Sequence, residues 1–598
     1  LFGPNSQLSL NGGFTATTAD QIEFGETWVD VATPQDYSQI EAGPSAYKFT
    51  SQAPGSIVNH GDLAVADGNA IRLIGGYVTN TGNISAPAGE ITLTAVPGES
   101  LVRLGSANAL LNLEIEALPD SATSLALPEL LTGDSSASAT VLHTNDDGTV
   151  SLTGEVILTG ALDVSSESQA ETGGEINVLG SSVEIHGADL YADGGAGGGF
   201  IRVGGDYQGQ STLPTATEVT FDGTARANAI AGGNGGEVIL WSDGVTDFSG
   251  EISATGAAGG EGGFVETSGR SQLIVNDGAK VITSTPDGSL GTWLLDPTDL
   301  SVVAASGTAS ITAGNNTPTD STLNAAILVS ALDGNNVTLQ ATNSLTVDAA
   351  VNASGNGAAG DLVLQAPTLN LNETIDLMAG SSLTGTATTV NVGSNGRVQN
   401  AVDAIATGGT INLSATTYAD GETFIDKDVT LQGQNNTLFD GQNTTRLFNI
   451  SNGTVAIDNV IVRNGNSPGT EDGGGGLLVA GTGSLALSNS LIENNSAVNG
   501  SSRFGGGIYM TGTGSSSITD STSQGRKGRA FDGIAWTRKD KNIDLGENLF
   551  CLVPFWHLSN EVSANNKMET SFWPNFAGAG DGVDGVAVAE ALVDLHFA

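Results

Sequence analysis

A repeat built on glycine pairs, between Gly173 and Ser284, restricts this chain more than any other feature. The pairs begin at Gly173, Gly198, Gly235 and Gly262, about 25 residues apart with one longer interval. After each pair come short segments in which apolar and polar residues alternate, separated by one or two turn residues. This pattern is typical of short β-strands, and a period of this length indicates a stacked repeat architecture.

One repeat cannot be stable alone. Burial of about six apolar side chains contributes roughly 1.5–3 kcal/mol each, whereas ordering some 25 residues costs about 1–2 kcal/mol per residue. The repeats become stable when each shares its backbone hydrogen bonds and inner face with its neighbours. The sequence therefore predicts an all-β fold, a right-handed parallel β-helix or solenoid. Its glycines would stand where a corner needs φ > 0 or a close backbone approach.

Composition supports this fold and limits the partners. The chain has 598 residues, of which 84 are glycine and 14% are charged, as expected for an all-β solenoid. A net charge of −46 argues against a nucleic-acid partner. The acidic surface suits an extracellular protein and could hold divalent cations loosely. No window has the 18 or more apolar residues of a membrane span, and no motif predicts a cofactor.

Cysteine usage and the N-terminus bear on whether the protein is cytosolic or exported. Cys551 is the only cysteine, so an internal disulfide is excluded. Disulfide-free chains are mostly cytosolic, but a chain exported unfolded through a pore also avoids disulfides that form too early. No signal peptide precedes Leu1, which we interpret as an N-terminal truncation.

The N-terminal segment carries a specific resemblance. Leu1–Phe24 resembles the N-terminal secretion domain of the filamentous haemagglutinin family, the exoproteins of two-partner secretion, and is most similar to the cyanobacterial branch. The family's Asn-Pro-Asn-Gly motif would precede Leu1, and Gly3, Pro4 and Asn5 are the residues here that resemble a secretion motif. Further similar segments are Ala70–Val78, Gly89–Val96, Val203–Gly209, Gly263–Gly269 and Gly288–Leu300.

The resemblance implies a function. Such a protein would be secreted or displayed on the surface of a Gram-negative-type bacterium, after export through an outer-membrane β-barrel transporter. It would act as an adhesin that binds glycans or other cells weakly at many points, and it would not be an enzyme.

The chain divides into seven predicted regions. They are a secretion-domain-like first β-helical region (1–118), an extra-helical loop (119–138), coils of the filamentous haemagglutinin type (139–284), a linker (285–305), further coils with a short helix at 320–332 (306–392), a second β-helix that resembles pectate lyases (393–523), and a tail without repeats (524–598). The tail would be a separate module, a poorly packed segment or, as we favour, a reading-frame or assembly artefact.

Two short helices are predicted. Asp320 would cap the first and Gly334 would end it. The second begins at Val398 and resembles the helix that plugs the open end of pectate-lyase-like β-helices, where a strand edge is otherwise exposed. The Asn residues at recurring corners predict side-chain amides that bond from turn to turn; they are Asn459, Asn464, Asn489 and Asn494.

Alternative functions rest on few residues. Arg463 with Asp458 is the best enzymatic candidate, because polysaccharide lyases on this fold use an Arg or Lys base beside carboxylates. A glycosidase would need paired acids.

Gly355–Gly360 matches a dinucleotide fingerprint, but a strand rather than a helix is predicted to follow it. The histidines have no partner at metal-ligand spacing; they are His60, His143, His186, His557 and His596. A toxin-delivery protein with its effector in the tail is a further alternative.

Overall fold

The structure is a computed structural model. It describes residues 1–33, 40, 43–104, 154–304, 321–467, 473–497 and 506–524, and the backbone of short strands at 113–117, 142–144, 150–152 and, beyond residue 524, at five places given below. The predicted loop 119–138 lies outside the described residues, as does His596. Of the residues that the structure describes, 51% lie in strands and 4% in helices, so this part of the chain is mostly β, with long parallel sheets consistent with a solenoid.

The strands are short and follow the alternating segments of the sequence. Up to residue 104 they are Gln7–Leu10, Phe14–Thr17, Gln21–Phe24, Thr27–Asp30, Pro44–Phe49, Ser56–Asn59, Asp62–Val65, Ala70–Gly75, Tyr77–Asn80, Asn83–Ser85, Glu90–Ala95 and Ser100–Leu104. Up to residue 303 they are Leu113–Ala117, Leu142–Thr144, Val150–Leu152, Glu155–Leu158, Ala161–Asp163, Glu175–Leu179, Ser182–Ile185, Asp189–Tyr191, Phe200–Val203, Ala216–Phe221, Thr224–Arg226, Glu237–Phe248, Glu251–Ser253, Phe264–Gly269, Gln272–Val275, Lys280–Ile282, Thr292–Leu295 and Asp299–Val303. The remaining strands up to residue 524 are Ser321–Asn324, Asn336–Gln340, Ser344–Val347, Val351–Asn352, Leu362–Gln365, Thr368–Leu371, Ile375–Asp376, Leu383–Gly385, Ala387–Val392, Ile405–Leu413, Thr417–Tyr418, Thr423–Ile425, Val429–Asp440, Phe448–Ile450, Thr454–Arg463, Leu477–Val479, Ser484–Ser488, Leu491–Glu493, Ile508–Met510, Ser516–Thr519 and Thr522–Gln524.

The chain forms two compact units. Unit 1 comprises residues 1–343, 351–363 and 376–382, and unit 2 comprises 344–350, 364–375 and 383–598. In each unit, successive passes of the chain, here called coils, pair strand on strand in parallel. The predicted parallel stacking of the repeat is therefore confirmed.

The strand register in unit 1 places aliphatic residues of successive coils directly above one another. Ile176 pairs with Ile201, Ile201 with Val238, and Val238 with Val265, and each of these side chains is fully buried. Parallel strands bury both their pairing edges and one face here, so the core is a column of aliphatic side chains repeated from coil to coil.

The second glycines of the four pairs form a column, which Gly89 extends at one end and Gly291 at the other. The four are Gly174, Gly199, Gly236 and Gly263. The carbonyl of Gly199 accepts a hydrogen bond of 2.9 Å from the N–H of Glu237, and that of Gly236 accepts one of 2.9 Å from Phe264. A Cβ added at Gly236 would overlap the carbonyl oxygen of Gly199. Close approach of two backbones, rather than a positive φ, is thus the reason for this glycine.

Several predicted boundaries are wrong. Within 1–118, the strands Gln21–Phe24, Thr27–Asp30, Pro44–Phe49, Ser100–Leu104 and Leu113–Ala117 form an antiparallel sheet rather than β-helical coils. A two-residue turn at Gly25, which has φ +65°, allows the first hairpin. Leu142–Thr144 and Val150–Leu152 also pair antiparallel, and the next parallel strand that the structure describes begins at Glu155.

The predicted linker 285–305 is part of the stack. Thr292–Leu295 pairs in parallel with the strand that starts at Phe264 and with the one that starts at Asn336. Trp293 is fully buried in this strand, and its indole N–H donates to Thr267 over 2.9 Å. A buried Trp with a satisfied N–H belongs to a core and not to a linker.

The tail also departs from its prediction. The backbone of Ile534–Trp536, Ile543–Asp544, Leu549–Cys551, Trp556–His557 and Met568–Glu569 pairs in parallel with preceding strands. The expectation that pairing stops near Ser523 is therefore wrong for these segments. The rest of 525–598 lies outside the described residues.

The first helix, α1, spans Ala325–Ala331. Its cap is Asn324, whose side chain accepts from the N–H of Ala326 at 2.9 Å, so the predicted cap at Asp320 is wrong. Residues 321–324 are instead a strand beside Leu300 and Ile274. Helix α1 packs against the strands Lys280–Ile282 and Val351–Asn352, in the place of a third strand.

The second helix, α2, spans Val398–Ala404 and leads directly into the strand Ile405–Leu413, as predicted. It does not plug an open end, because its side chains reach strand edges on two sides. Asn400 accepts from the N–H of Ile375 at 3.1 Å and donates to the carbonyl of Ile375 at 2.9 Å. Gln399 accepts from the N–H of Phe424 at 2.7 Å. The two amides pair with backbone groups that an adjacent strand would otherwise satisfy.

We expect Gly236→Val to lower the free energy of unfolding by about 3 kcal/mol or more, because the side chain must push two paired coils apart. The control is Gly355→Ala, where an added Cβ meets no atom within 4 Å. Denaturant unfolding followed by circular dichroism measures both. Equal midpoints for Gly236→Val and the parent protein would contradict this explanation of the glycine column.

We expect Asn400→Leu to destabilise unit 2 by about 2–3 kcal/mol, because Leu leaves the N–H and carbonyl of Ile375 buried without partners. The matched control is Asn395→Leu, at an exposed Asn that bonds only Glu373, with an expected change below about 0.5 kcal/mol. Thermal unfolding separates the two. A loss no larger in Asn400→Leu than in the control would show that this amide does not protect the edge.

Candidate functional site

The secretion-motif-like residues lie in a turn. The carbonyl of Gly3 accepts from the N–H of Ser6 at 2.8 Å, and Pro4 and Asn5 are exposed between them. Beside this turn, Phe2 forms a parallel bridge with Asn59. Pro4 and Asn5 are therefore accessible, and all three residues belong to unit 1, whereas Arg463 and Asp458 belong to unit 2.

Arg463 and Asp458 do not form a joint site. Arg463 pairs with Asp440, with both Nε and Nη2 at 3.3 Å from Oδ2. Burial by itself raises the pKa of Asp440, but hydrogen bonds from Asn464 and the N–H of Gln442, together with Arg463, bring it below its usual value. The predicted lyase base is thus held by a carboxylate other than the one expected beside it.

Asp458 accepts three hydrogen bonds. The donors are Ser488 at 2.6 Å, Gln432 at 2.7 Å and Asn489 at 2.7 Å. Burial raises its pKa, but these three donors outweigh burial and leave the pKa below the usual value. The carboxylate of Asp458 thus joins its own coil to the coils on both sides.

The corner asparagines behave partly as predicted. All four have positive φ, between 49° and 58°, which Asn tolerates better than most residues. The amides of three of them reach the preceding coil, where the acceptor is a carbonyl or a carboxylate and not another amide. Asn459 donates to the carbonyl of Gly433, Asn464 to Asp440 and Asn489 to Asp458.

An amide ladder does exist on another strand of unit 2. Asn412 donates to Asn391 at 2.9 Å, and Asn391 donates to Asn370 at 2.8 Å. Each follows a threonine two residues earlier on the same strand, and these threonines also lie in register; they are Thr368, Thr389 and Thr410. Unit 2 therefore presents repeated hydroxyls and amides on one face of a parallel sheet.

The other sequence candidates lie at ordinary positions. Gly355–Gly360 forms turns and precedes the strand Leu362–Gln365, as predicted. The backbone N–H groups of Gly357 and Ala358 donate to the carboxylate of Asp333, so a side chain of the protein itself occupies this turn. His186 lies between Asp222, at 3.2 Å, and Glu184, at 3.3 Å.

Unit 1 contains a cluster of acids that no sequence motif predicted. Glu266 is fully buried, and its Oε2 accepts from the backbone N–H of Gln208 at 3.2 Å. The side chain of Gln208 donates to Asp296 at 2.9 Å. Gln208 belongs to the segment Gly204–Thr215, here called the cover loop, which folds over the strands of the next coils.

Two glycines let the cover loop approach closely. Gly205 and Gly209 lie against the indole of the buried Trp241, where any Cβ would overlap the ring. Gly209 has φ +61° and Gln208 has φ +50°, so the turn also uses the left-handed region. The longer interval between the pairs at Gly198 and Gly235 is the sequence signal for this loop.

Burial raises the pKa of Glu266 to about 8, because removal from water penalises the charged form. The neighbouring carboxylates Asp296 and Asp206 raise this pKa further, while hydrogen bonds from Ser268 and Gln208 lower it. Glu266 is therefore mostly protonated at neutral pH. Strongly shifted carboxyls of this kind mark candidate functional sites, and here the carboxyl fastens the cover loop.

The described residues limit the chemistry further. Within them, no helix combines the length and apolarity needed to span a membrane. In the same part of the chain, no three His, Cys, Asp or Glu side chains are grouped so that they could hold a metal ion.

Comparison with known proteins adds no relative. No protein-family model matches the chain, and no curated protein matches it.

We expect the stability of unit 1 to fall as pH rises from about 4.5 to about 8. In this window the unfolded chain loses the proton of Glu266, whose ordinary pKa is 4.5, while the folded chain keeps it. The unfolded state then binds fewer protons, so the free energy of unfolding decreases, by an amount on the order of a few kcal/mol.

Glu266→Gln tests this assignment, because the amide cannot ionise. We expect the variant to unfold at a higher temperature than the parent protein at pH 8, and to lose this advantage at pH 4.5. The control is Glu261→Gln at an exposed position, which should follow the parent protein at both pH values. A Glu266→Gln advantage that is the same at both pH values would rule out titration of this carboxyl.

Proposed function

We propose that this protein is a secreted or cell-surface adhesin of the filamentous haemagglutinin type, exported by two-partner secretion and built as a right-handed parallel β-helix with a second, pectate-lyase-like β-helical segment. The observation that carries the proposal is the in-register parallel stacking of coils, from Ala70 to Gln340 in unit 1 and from Ser344 to Thr519 in unit 2. The segments that resemble secretion-domain proteins lie in the same chain.

Stacking of this kind suits export without nucleotide energy. Each coil gains its hydrogen bonds and its buried side chains from the coil before it, so stability grows by nearest-neighbour steps. A chain that emerges unfolded from a β-barrel pore would fold coil by coil outside the pore. Each completed coil, fixed by contacts such as that between Gly199 and Glu237, would then disfavour backsliding.

The surface supports adhesion more than catalysis. The threonine and asparagine columns of unit 2 repeat at the coil spacing, about 4.7–4.9 Å. Repeated hydroxyls and amides favour many weak contacts with a glycan surface, and such contacts add up when several are made together. Loosely held divalent cations would fit the net charge of −46.

The alternatives have weaker support. A polysaccharide lyase or glycosidase on unit 2 would need a free base and free carboxylates, but Arg463 is paired with Asp440 and Asp458 accepts three hydrogen bonds. The toxin-delivery alternative depends on 524–598, most of which lies outside the described residues.

We expect the chain, given a cleavable export signal, to reach the medium of a Gram-negative host only when a β-barrel transporter of two-partner secretion is present. Immunoblots of medium and periplasm measure this. Gly236→Val should reduce the exported amount, because it weakens stacking, whereas Gly355→Ala should not. Equal periplasmic retention with and without the transporter would contradict export by this route.

A second experiment, independent of export, measures adhesion. Beads that carry many copies of the purified protein should be retained on polysaccharide-coated surfaces, while the single soluble protein should bind only weakly. Beads coated with protein unfolded by heat serve as the control. If folded and unfolded coats are retained equally, the protein is not an adhesin in the proposed sense.

A further inference from the structure

Exposed aromatic side chains gather on one side of unit 1. Phe200 is 45% exposed and Tyr207 is 44% exposed, although aromatic residues make up only 5% of the chain. The ring of Tyr207 lies 5.8 Å from that of Phe264, with an angle of 58° between the planes. Partly exposed aromatics that cluster in this way are uncommon on a surface without a partner.

These rings alternate with carboxylates in one column of the parallel sheet. Glu175 pairs with Phe200, Phe200 with Glu237, and Glu237 with Phe264. Adjacent members are separated by one coil, about 4.7–4.9 Å. We call Glu175, Phe200, Glu237 and Phe264, together with Tyr207, the aromatic platform.

The platform is held in place by neighbouring side chains and by the cover loop. Arg202 lies over the Phe200 ring, 5.4 Å from its centroid, and donates to Glu175 at 2.7 Å and to Asp206 at 3.0 Å. Tyr207 is fixed by the cover loop, which Gln208 fastens to Glu266 and Asp296. Rigid aromatic groups lose little conformational freedom when a ligand binds.

The chemistry of the platform selects the ligand. A phenyl ring offers an apolar face to C–H groups, and an ionised carboxylate only accepts hydrogen bonds. The ligand must therefore present an apolar C–H face and hydroxyl donors a few ångströms apart, as a pyranose sugar does. A cationic ligand is less suited, because Arg202 already takes the cation position at Phe200.

We propose that the aromatic platform of unit 1 is a binding subsite for a neutral pyranose of a cell-surface glycan, stacked on Phe200 and Phe264 and hydrogen-bonded by Glu237. The inference rests on the proposed adhesin function and gives it a defined ligand class and place. Affinity for one sugar is weak, on the order of millimolar. Repetition over many molecules on a surface compensates for this weakness.

The test uses saturation-transfer NMR on the full chain with the methyl glycosides of glucose, galactose, mannose and N-acetylglucosamine, and with tetramethylammonium as the cationic probe. At least one glycoside should receive transfer at its ring C–H protons. Phe200→Ala and Phe264→Ala should weaken this binding about fivefold or more. The matched control is Phe424→Ala in unit 2, an exposed Phe outside the platform (56% exposed), which should bind like the parent protein.

Tyr207→Ala gives an independent test if Phe264→Ala fails to fold, because Tyr207 stands on the cover loop and is largely exposed. The proposal is overturned if no glycoside receives transfer, if the platform variants bind glycoside as well as Phe424→Ala does, or if tetramethylammonium alone binds. Bead adhesion distinguishes a failure of the platform proposal from a failure of the adhesin proposal. Adhesion that persists in Phe200→Ala refutes the platform and leaves the adhesin proposal standing, whereas a parent protein without adhesion refutes the adhesin proposal itself.

Discussion

Backbone hydrogen bonding between successive coils is the interaction on which the rest of the structure depends. In unit 1, carbonyl groups of one coil accept hydrogen bonds from N–H groups of the next coil. The carbonyl of Gly174 accepts from Phe200 at 3.0 Å, and that of Gly263 accepts from Thr292 at 3.0 Å. This pairing requires the two backbones to approach where the chain turns into a new coil. Only glycine permits that approach, so the glycine column and the hydrogen-bond ladder are one constraint.

A stack of parallel coils must also deal with interrupted sheets. In both units, side-chain amides take the place of a missing strand. Asn335, just after α1, donates to the carbonyl of Val281 at 3.0 Å and accepts from the N–H of Thr283. Asn400 and Gln399 do the same around α2. A helix can thus replace a strand without leaving buried peptide groups unpaired, which would cost about 1–3 kcal/mol each.

The cover loop shows how an insertion adds function to a repetitive scaffold. The coils supply a regular sheet that carries Glu266 and Trp241. The loop covers this carboxyl and this indole, and it adds the exposed Tyr207. Because Gln208 bonds both Glu266 and Asp296, the loop is fastened to two successive coils. The aromatic platform therefore combines four side chains that stand in register on the stacked strands with one tyrosine from the loop.

Local patterns in the sequence were enough to predict the parallel coils, the repeated glycines, the start of the second helix and most strand positions. They did not show which residues would leave the repeat. The antiparallel strands near Ile22 and Tyr47, the strand around Trp293 in the supposed linker, and the strand Ser321–Asn324 before the first helix depend on partners far along the chain. Gln208 meets Glu266 across 58 residues, and only folding could bury that carboxyl. Local alternation sets whether a residue points inward, but burial of a charge is decided by what folds over it, and that is a property of the tertiary structure alone.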